Sequence, residues 1–203
     1  LEIGVQSTNP DTIHAIHRTM DFGKLKGIVE RIHSFGNIHQ HLDLIIGLPY
    51  EDYMTFSKSF DDLYYIHPDK LQLGFLKLLK GSKLRLDEDI HGYVYLDKPP
   101  YEILDNNYIS YSDIVKLKFI EEVVEKYYNE GYFKNSIEYL IKVEFFRPFE
   151  FFEDFAKYLF SIDFFSISHS KKSLYHYLNN YYKYKNFDNY GILVDIMKFD
   201  YLY

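Results

Sequence analysis

HLDLIIGLPYED, residues 41–52, decides the fold. Leu42, Leu44, Ile45, Ile46 and Leu48 form an apolar run of strand length, closed by the turn residues Gly47 and Pro49. Such a run predicts a strand from His41 to Leu48 that is buried on both faces, as in a parallel sheet. A single carboxylate, Asp43, interrupts it. Burying that group without partners costs several kcal/mol, so it contacts a ligand, an arginine or backbone donors. A purely structural aspartate is the competing reading.

Working outward, LEIGVQS (Leu1–Ser7) reads as a second strand with Gln6 at its tip. Side-chain alternation places Glu2, Gly4 and Gln6 on one face. Asn9-Pro10 starts a helix, with Asn9 as cap and proline in the first turn, and Arg18 closes it. A further short helix follows Asp21, carries Ile28, Val29 and Ile32, and ends near Gly36. Tyr53 to Tyr65 is helical by the spacing of Phe56, Phe60, Leu63 and Tyr64, and Pro68 stops it. Leu71 to Leu79 supplies a third strand, in which Gly74 permits close approach of a backbone or ligand. Strand–helix–strand–helix–strand at these lengths is a right-handed βαβαβ unit, with the three strands parallel and adjacent in chain order.

The later chain changes character. Gly81 to Pro100 is a run of short charged turns around Tyr93–Leu96, a candidate hairpin arm. From Ser110 the pattern is helical: Ser110 and Asp113 make a capping box, and Ile114, Leu117, Ile120, Val124 and Tyr127 form a stripe ending near Gly131. Asn135 with Glu138 starts another helix, and Pro148 fits the first turn of a third. Residues 170–203 carry a weaker pattern around the apolar run Ile192–Ile196. The expected organisation is an α/β segment over residues 1–82, an irregular connection over 83–108 and a helical domain over 109–203.

Composition limits the function classes. The chain carries 30 acidic against 23 basic residues, net −7, so nothing draws it toward nucleic acid. No apolar run approaches the ~18 residues that span a bilayer, so no membrane partner is expected and a cytoplasmic location is. Cysteine is absent, which removes disulfides, thiolate metal sites and a cysteine nucleophile. The start at Leu1 inside a strand pattern suggests a truncated piece of a longer enzyme.

The three-part pattern Gln6–Arg18–Asp43, set in LEIGVQS and HLDLIIGLPYED, resembles the later barrel half of radical S-adenosylmethionine (SAM) enzymes. The likeness is to the branch shared by oxygen-independent coproporphyrinogen oxidases and cobalamin-binding radical SAM proteins. LQLGFLKLLKGSKLR (Leu71–Arg85) resembles the sixth-strand region of the cobalamin-binding group. PPYEILDNNYISYSDIVKLKFIEEVVEKYYNEGYF (residues 99–133) resembles its C-terminal helical domain, a domain of unknown function.

The resemblance implies strands four to six of a partial (β/α) TIM-type barrel with parallel strands, followed by an α-helical domain. It implies SAM held by Gln6, Arg18 and Asp43, with Glu2 on the same wall, Asp43 taking the ribose hydroxyls and Ile45 near the adenine. It implies reductive SAM cleavage, then radical hydrogen abstraction or cobalamin-dependent methyl transfer on an unknown substrate. The four-iron four-sulfur cluster needs three cysteines, so its ligands, and any cobalamin domain, lie outside this chain. The missing N-terminal half of the enzyme is then the expected partner. This piece alone is expected to be catalytically silent and to self-associate through the cut barrel edge.

Two other classes stay open. His39, His41 and Asp43 share a strand face by alternation, an arrangement a metal-dependent hydrolase would use. The pair precedes the apolar run, however, at the end of the strand opposite to where barrel sites lie, which favours structural histidines. A non-catalytic interaction module would instead present the aromatic helices around residues 145–165 as a partner surface.

Overall fold

The computed structural model describes residues 1–202. The backbone clusters into two compact units, residues 1–118 and a second from Phe119 onward. In the first, β1 (Glu2–Gln6), β2 (His41–Ile46) and β3 (Lys70–Phe75) form a parallel sheet in the order β1-β2-β3. Its register aligns Glu2 with His41, Gly4 with Asp43, Asp43 with Gln72 and Ile45 with Gly74. The helices are α1 (Pro10–Ala15), α2 (Phe22–His33) and α3 (Tyr53–Tyr64). Asn9, Asp21 and Asp52 cap them, each side chain accepting a backbone N–H of the first turn. Right-handed crossovers put α2 and α3 on one face of the sheet. Val29, Phe56, Phe60 and Leu63 there are buried, as are Leu42, Leu44, Ile46, Leu71 and Leu73.

The other face corrects the reading of β2 as buried on both sides. His41, Asp43 and Ile45 alternate with the buried residues and are only half-buried. The apolar run hid this alternation because Ile45 is a large hydrophobe on the open side. The third strand is also shorter than expected, because after Phe75 the chain leaves the parallel register. Leu76 N–H still donates to Ile46 O, but Lys77 then bridges antiparallel to Glu102. Two single-turn helices, α4 (Lys83–Leu86) and α5 (Glu88–His91), lead into a small antiparallel pair, β4 (Val94–Tyr95) with β5 (Ile103–Asp105). The expected hairpin arm at Tyr93–Leu96 is therefore present as β4.

The division between the units falls inside α6 (Tyr111–Val124), whose start carries the expected Ser110–Asp113 box, Asp113 N–H donating to Ser110 Oγ at 3.3 Å. A π-helical turn, Glu125–Asn129, continues it. The second unit adds α7 (Lys134–Leu140), a second π-turn (Ile141–Phe145), α8 (Pro148–Ser161), α9 (Lys171–Lys185) and α10 (Tyr190–Leu202). Its core is aromatic: Tyr127, Phe133, Phe151, Phe152, Phe155 and Tyr181 are each almost fully buried. Tyr127 and Phe155 pack edge to face with centroids 4.8 Å apart. Buried phenols find acceptors, Tyr127 at Leu174 O (3.0 Å) and Tyr181 at Asp154 Oδ2 (2.6 Å).

Two readings of the helical part change. Asn135 does not cap α7 but lies inside it; the capping carboxylate is Asp200 of α10. Residues 171–202 are two regular helices rather than a weak pattern. The inward stripe of α9, Leu174, Leu178, Tyr181 and Tyr182, uses tyrosines as apolar members, which a hydrophobicity count discounts. Among the described residues no helix is long and apolar enough to cross a membrane.

Candidate functional site

The open face of the parallel sheet is floored by glycine. Gly4 and Gly74 flank Asp43 and Ile45 in register, so β2 stands between two positions without side chains. Neighbouring side chains fill that space. A Cβ on Gly74 would lie 2.8 Å from Ile45 Cδ1. A Cβ on Gly4 would lie 2.7 Å from Gln6 Nε2 and 3.7 Å from Arg18 Nη1. Gln6 and Arg18 thus lie over one bare backbone position, Gly4, which is the register partner of Asp43.

Gln6 arrives there by an unusual route. The β1–β2 register slips between Gly4 and Gln6, so Gln6 pairs with Leu44 rather than with Ile45. Its backbone is left-handed, φ 74°, a conformation that costs a non-glycine residue on the order of 1 kcal/mol. That twist folds the amide back over Gly4. Arg18 follows α1 through His17, itself left-handed at φ 56°, and Nη1 donates to Gly4 O at 2.8 Å. Simple alternation reached the right face for Gln6 but missed the bulge that aims it.

Asp43 carries the chemical signal. Its Oδ1 is buried and has no hydrogen-bond partner. Burial raises its pKa first, the negative charge of Glu2 second, and His41 opposes both. Glu2 and His41 are register partners and extend the same face at the N-terminal end of the strands. His39 does not join them: it precedes β2, is exposed and faces Asp69 at 3.7 Å. Among the described residues no three His, Cys, Asp or Glu side chains are placed to hold a metal ion.

Sequence reasoning missed a second carboxylate, Glu51, just beyond the Gly47–Pro49 turn. Only 1% exposed, its Oε1 accepts from Ser7 Oγ (2.5 Å) and Ser59 Oγ (2.9 Å), while Oε2 is buried without a partner. Burial pushes its pKa up to about 7 against the pull of the two hydroxyls. Thr8 adds bonds to Ser59 (3.2 Å) and Asp62 (2.7 Å), and Asn9 Nδ2 donates to Tyr50 O at 2.8 Å. This network ties the segment after β1 to the segment after β2 and to α3. Nothing local signals it; the partners lie 44 and 8 residues from Glu51.

In the helical unit, a cleft of about 360 Å³ is lined by Asn135, Glu138, Tyr139, Lys142, Ile196 and Phe199. It holds none of the orphaned buried polar atoms. Among the described residues these are Gln40 Oε1, Asp43 Oδ1, Glu51 Oε2 and the Tyr93 hydroxyl, all in the first unit. Of the aromatic run, Phe149, Phe151, Phe152 and Phe155 face the core, and Phe146 and Phe160 are exposed.

Fold and site together define an α/β sheet unit, with a polar open face, followed by a helical unit. Residues 89–203 match the model of a family described as "Protein of unknown function (DUF4080)", more than half of the chain, and the protein belongs to that family. No curated protein matches the chain.

Proposed function

We propose that this chain is the SAM-binding later part of a radical SAM barrel, joined to the C-terminal domain of a cobalamin-binding member of that class. The family it belongs to is known as the C-terminal part of cobalamin radical SAM proteins, which supports the reading. The observation that carries it is the orphaned Asp43 Oδ1 on the glycine-floored face, where Gln6 and Arg18 lie over Gly4, the register partner of Asp43. A ribose hydroxyl donates to such an oxygen, and a buried acceptor left empty costs about 1–3 kcal/mol.

The residues fit that ligand. Gln6 offers an amide that both donates and accepts toward a sugar edge. Arg18 supplies a planar fork for the amino-acid carboxylate, now occupied by Gly4 O. Ile45, lying across Gly74, gives an apolar shelf for a purine. Glu2 adds negative charge at the margin, where a sulfonium would be favoured. The bound SAM, with a four-iron four-sulfur cluster held by residues outside this sequence, would supply reductive cleavage to a carbon-centred radical. Within this chain Asp43, Gln6 and Arg18 bind and orient.

Calorimetric titration of SAM into the chain tests this. Asp43→Ala should weaken binding by at least about tenfold, equivalent to ~1.4 kcal/mol, with its thermal midpoint close to that of the parent. No binding by the parent chain, or unchanged affinity in the variant, rejects the assignment.

A further inference from the structure

A basic corner at the carboxyl end of β3 takes no part in the reading above. From Lys70 to Leu86 the chain carries five cations, Lys70, Lys77, Lys80, Lys83 and Arg85, and no acid, in a sequence of net charge −7. Parallel α/β sheets bind ligands beyond the carboxyl ends of their strands, and the segment after Phe75 lies there. Three extended pieces of chain run side by side at this corner. Ile103 N–H donates to Leu76 O, Leu78 N–H to Tyr101 O and Leu96 N–H to Glu102 O, each at 2.9 Å. This pairing brings Tyr95 of β4 and Tyr101, which precedes β5, to the side chain of Arg85. The guanidinium carbon of Arg85 lies 5.0 Å from the centroid of the Tyr95 ring and 5.1 Å from that of Tyr101. Lys80 Nζ stands 5.8 Å from the same Tyr101 ring.

Several features hold Arg85 in place. Ser82 Oγ accepts its backbone N–H at 3.3 Å, and its Nη1 donates to Leu78 O at 2.9 Å. Tyr101 has a left-handed backbone, φ 59°, a strain the surroundings must over-determine, and its carbonyl is fixed by Leu78 N–H. The acids of the region are engaged elsewhere. Asp87 pairs with Lys83 at 2.7 Å, Glu102 pairs with Lys118, and Glu88 accepts from the Tyr95 hydroxyl. Among the described residues no carboxylate stands within ion-pair distance of Lys77, Lys80 or Arg85. Arg85 is half-buried all the same, and a cation drawn partly out of water is normally paired.

Aromatic contacts hold a guanidinium without using its in-plane N–H groups. Those groups form the fork that matches two oxygens of one oxyanion, and a fork already fixed in position loses little freedom on binding. Lys80 adds a compact second charge at the same ring, so a doubly charged group suits the corner better than a single carboxylate. We propose that Arg85 and Lys80, set by Tyr95 and Tyr101, bind a phosphate dianion, either the free ion or the phosphoryl group of an organic ligand. Arg85 takes two phosphate oxygens and Lys80 balances the remaining charge. The site does not depend on SAM binding to the sheet face.

Titration of the full chain with inorganic phosphate at constant ionic strength tests the proposal. The chain has four arginines, Arg18, Arg31, Arg85 and Arg147, so their side-chain N–H resonances can be followed singly in nitrogen-15-labelled protein. The Arg85 resonance, assigned by its loss in Arg85→Gln, should shift saturably with phosphate. Phosphorus resonance line widths give the affinity of the variants. Arg85→Gln should weaken binding by about tenfold or more, and Lys80→Gln by about threefold. Lys172→Gln, which removes an exposed charge from α9, should leave it unchanged. If Arg85→Gln does not fold, the shift in the parent and the Lys80→Gln result still decide. Phenyl phosphate binding more tightly than inorganic phosphate would identify the ligand as an organic phosphoryl group, and equal affinity would identify it as the free ion. No saturable shift at Arg85, acetate binding as well as phosphate, or unchanged affinity in Arg85→Gln overturns the assignment.

Discussion

Glu51 shows how a single residue can set a pH response. Its pKa is pushed from the ordinary carboxyl range to about 7 in the folded chain, mainly by burial. Folding therefore favours the protonated acid. The resulting stability is fully present below the unfolded pKa near 4.5 and is lost progressively as pH rises through about 7. Asp52 stands close by, and its charge acts in the same direction. Glu51→Gln keeps an oxygen for Ser7 and Ser59 and cannot ionise. Denaturant unfolding at pH 5 and pH 8 should show a loss of up to about 3 kcal/mol in the parent and almost none from this site in the variant. Equal pH slopes for the two proteins would mean that Glu51 is ionised throughout. Asp43 was legible because a lone carboxylate inside an apolar run is anomalous by itself. Glu51 was not, because an acid in a polar loop after a turn looks ordinary until α3 and the β1 loop close over it.

Among the elements, the starts of the strands and of the first three helices could be read almost to the residue, because each opens at a local cap or turn, whereas β3 and α1 end earlier than expected. The helical unit was harder, since two of its helices pass into π-turns and one takes its cap from far away in sequence. Asp200 is that cap. It is 8% exposed, and its two oxygens accept from Asn135 N (3.2 Å), Asn135 Nδ2 (2.7 Å), Ser136 N (2.8 Å) and Ser136 Oγ (2.6 Å). Four donors on one carboxylate fasten α10 to the first turn of α7, where negative charge also suits the helix dipole. Removing the acceptor strands buried donors. Asp200→Ala should therefore destabilise the helical unit by about 2–4 kcal/mol, and Asp200→Asn, which retains one oxygen, by less. Urea unfolding followed by circular dichroism measures both, and equal stability of all three proteins would show that water replaces the carboxylate freely.

For the whole molecule, the parallel order β1-β2-β3 followed from the sequence by the rules for short crossovers, and the sheet has that order. Helices cover one face of the sheet. The other is half-open, and β1 has a neighbour on one side alone. Natural edge strands are usually blunted by lysine, proline or a covering segment. EIGVQ carries neither lysine nor proline, and its bulge lies only at its last residues. Apart from Gly4 O, which Arg18 Nη1 holds at 2.8 Å, its outward N–H and C=O groups are open to another strand. A second copy of the same edge is the candidate at high concentration. Light scattering should then show mass rising with concentration, and hydrogen exchange should show the amides of Glu2–Gln6 gaining protection in step. Association without protection there would place the contact elsewhere, for instance on the exposed stripe Ile192, Phe199 and Leu202 of α10. A monomer at every concentration would mean that the twist at Gln6 is enough to keep the edge closed.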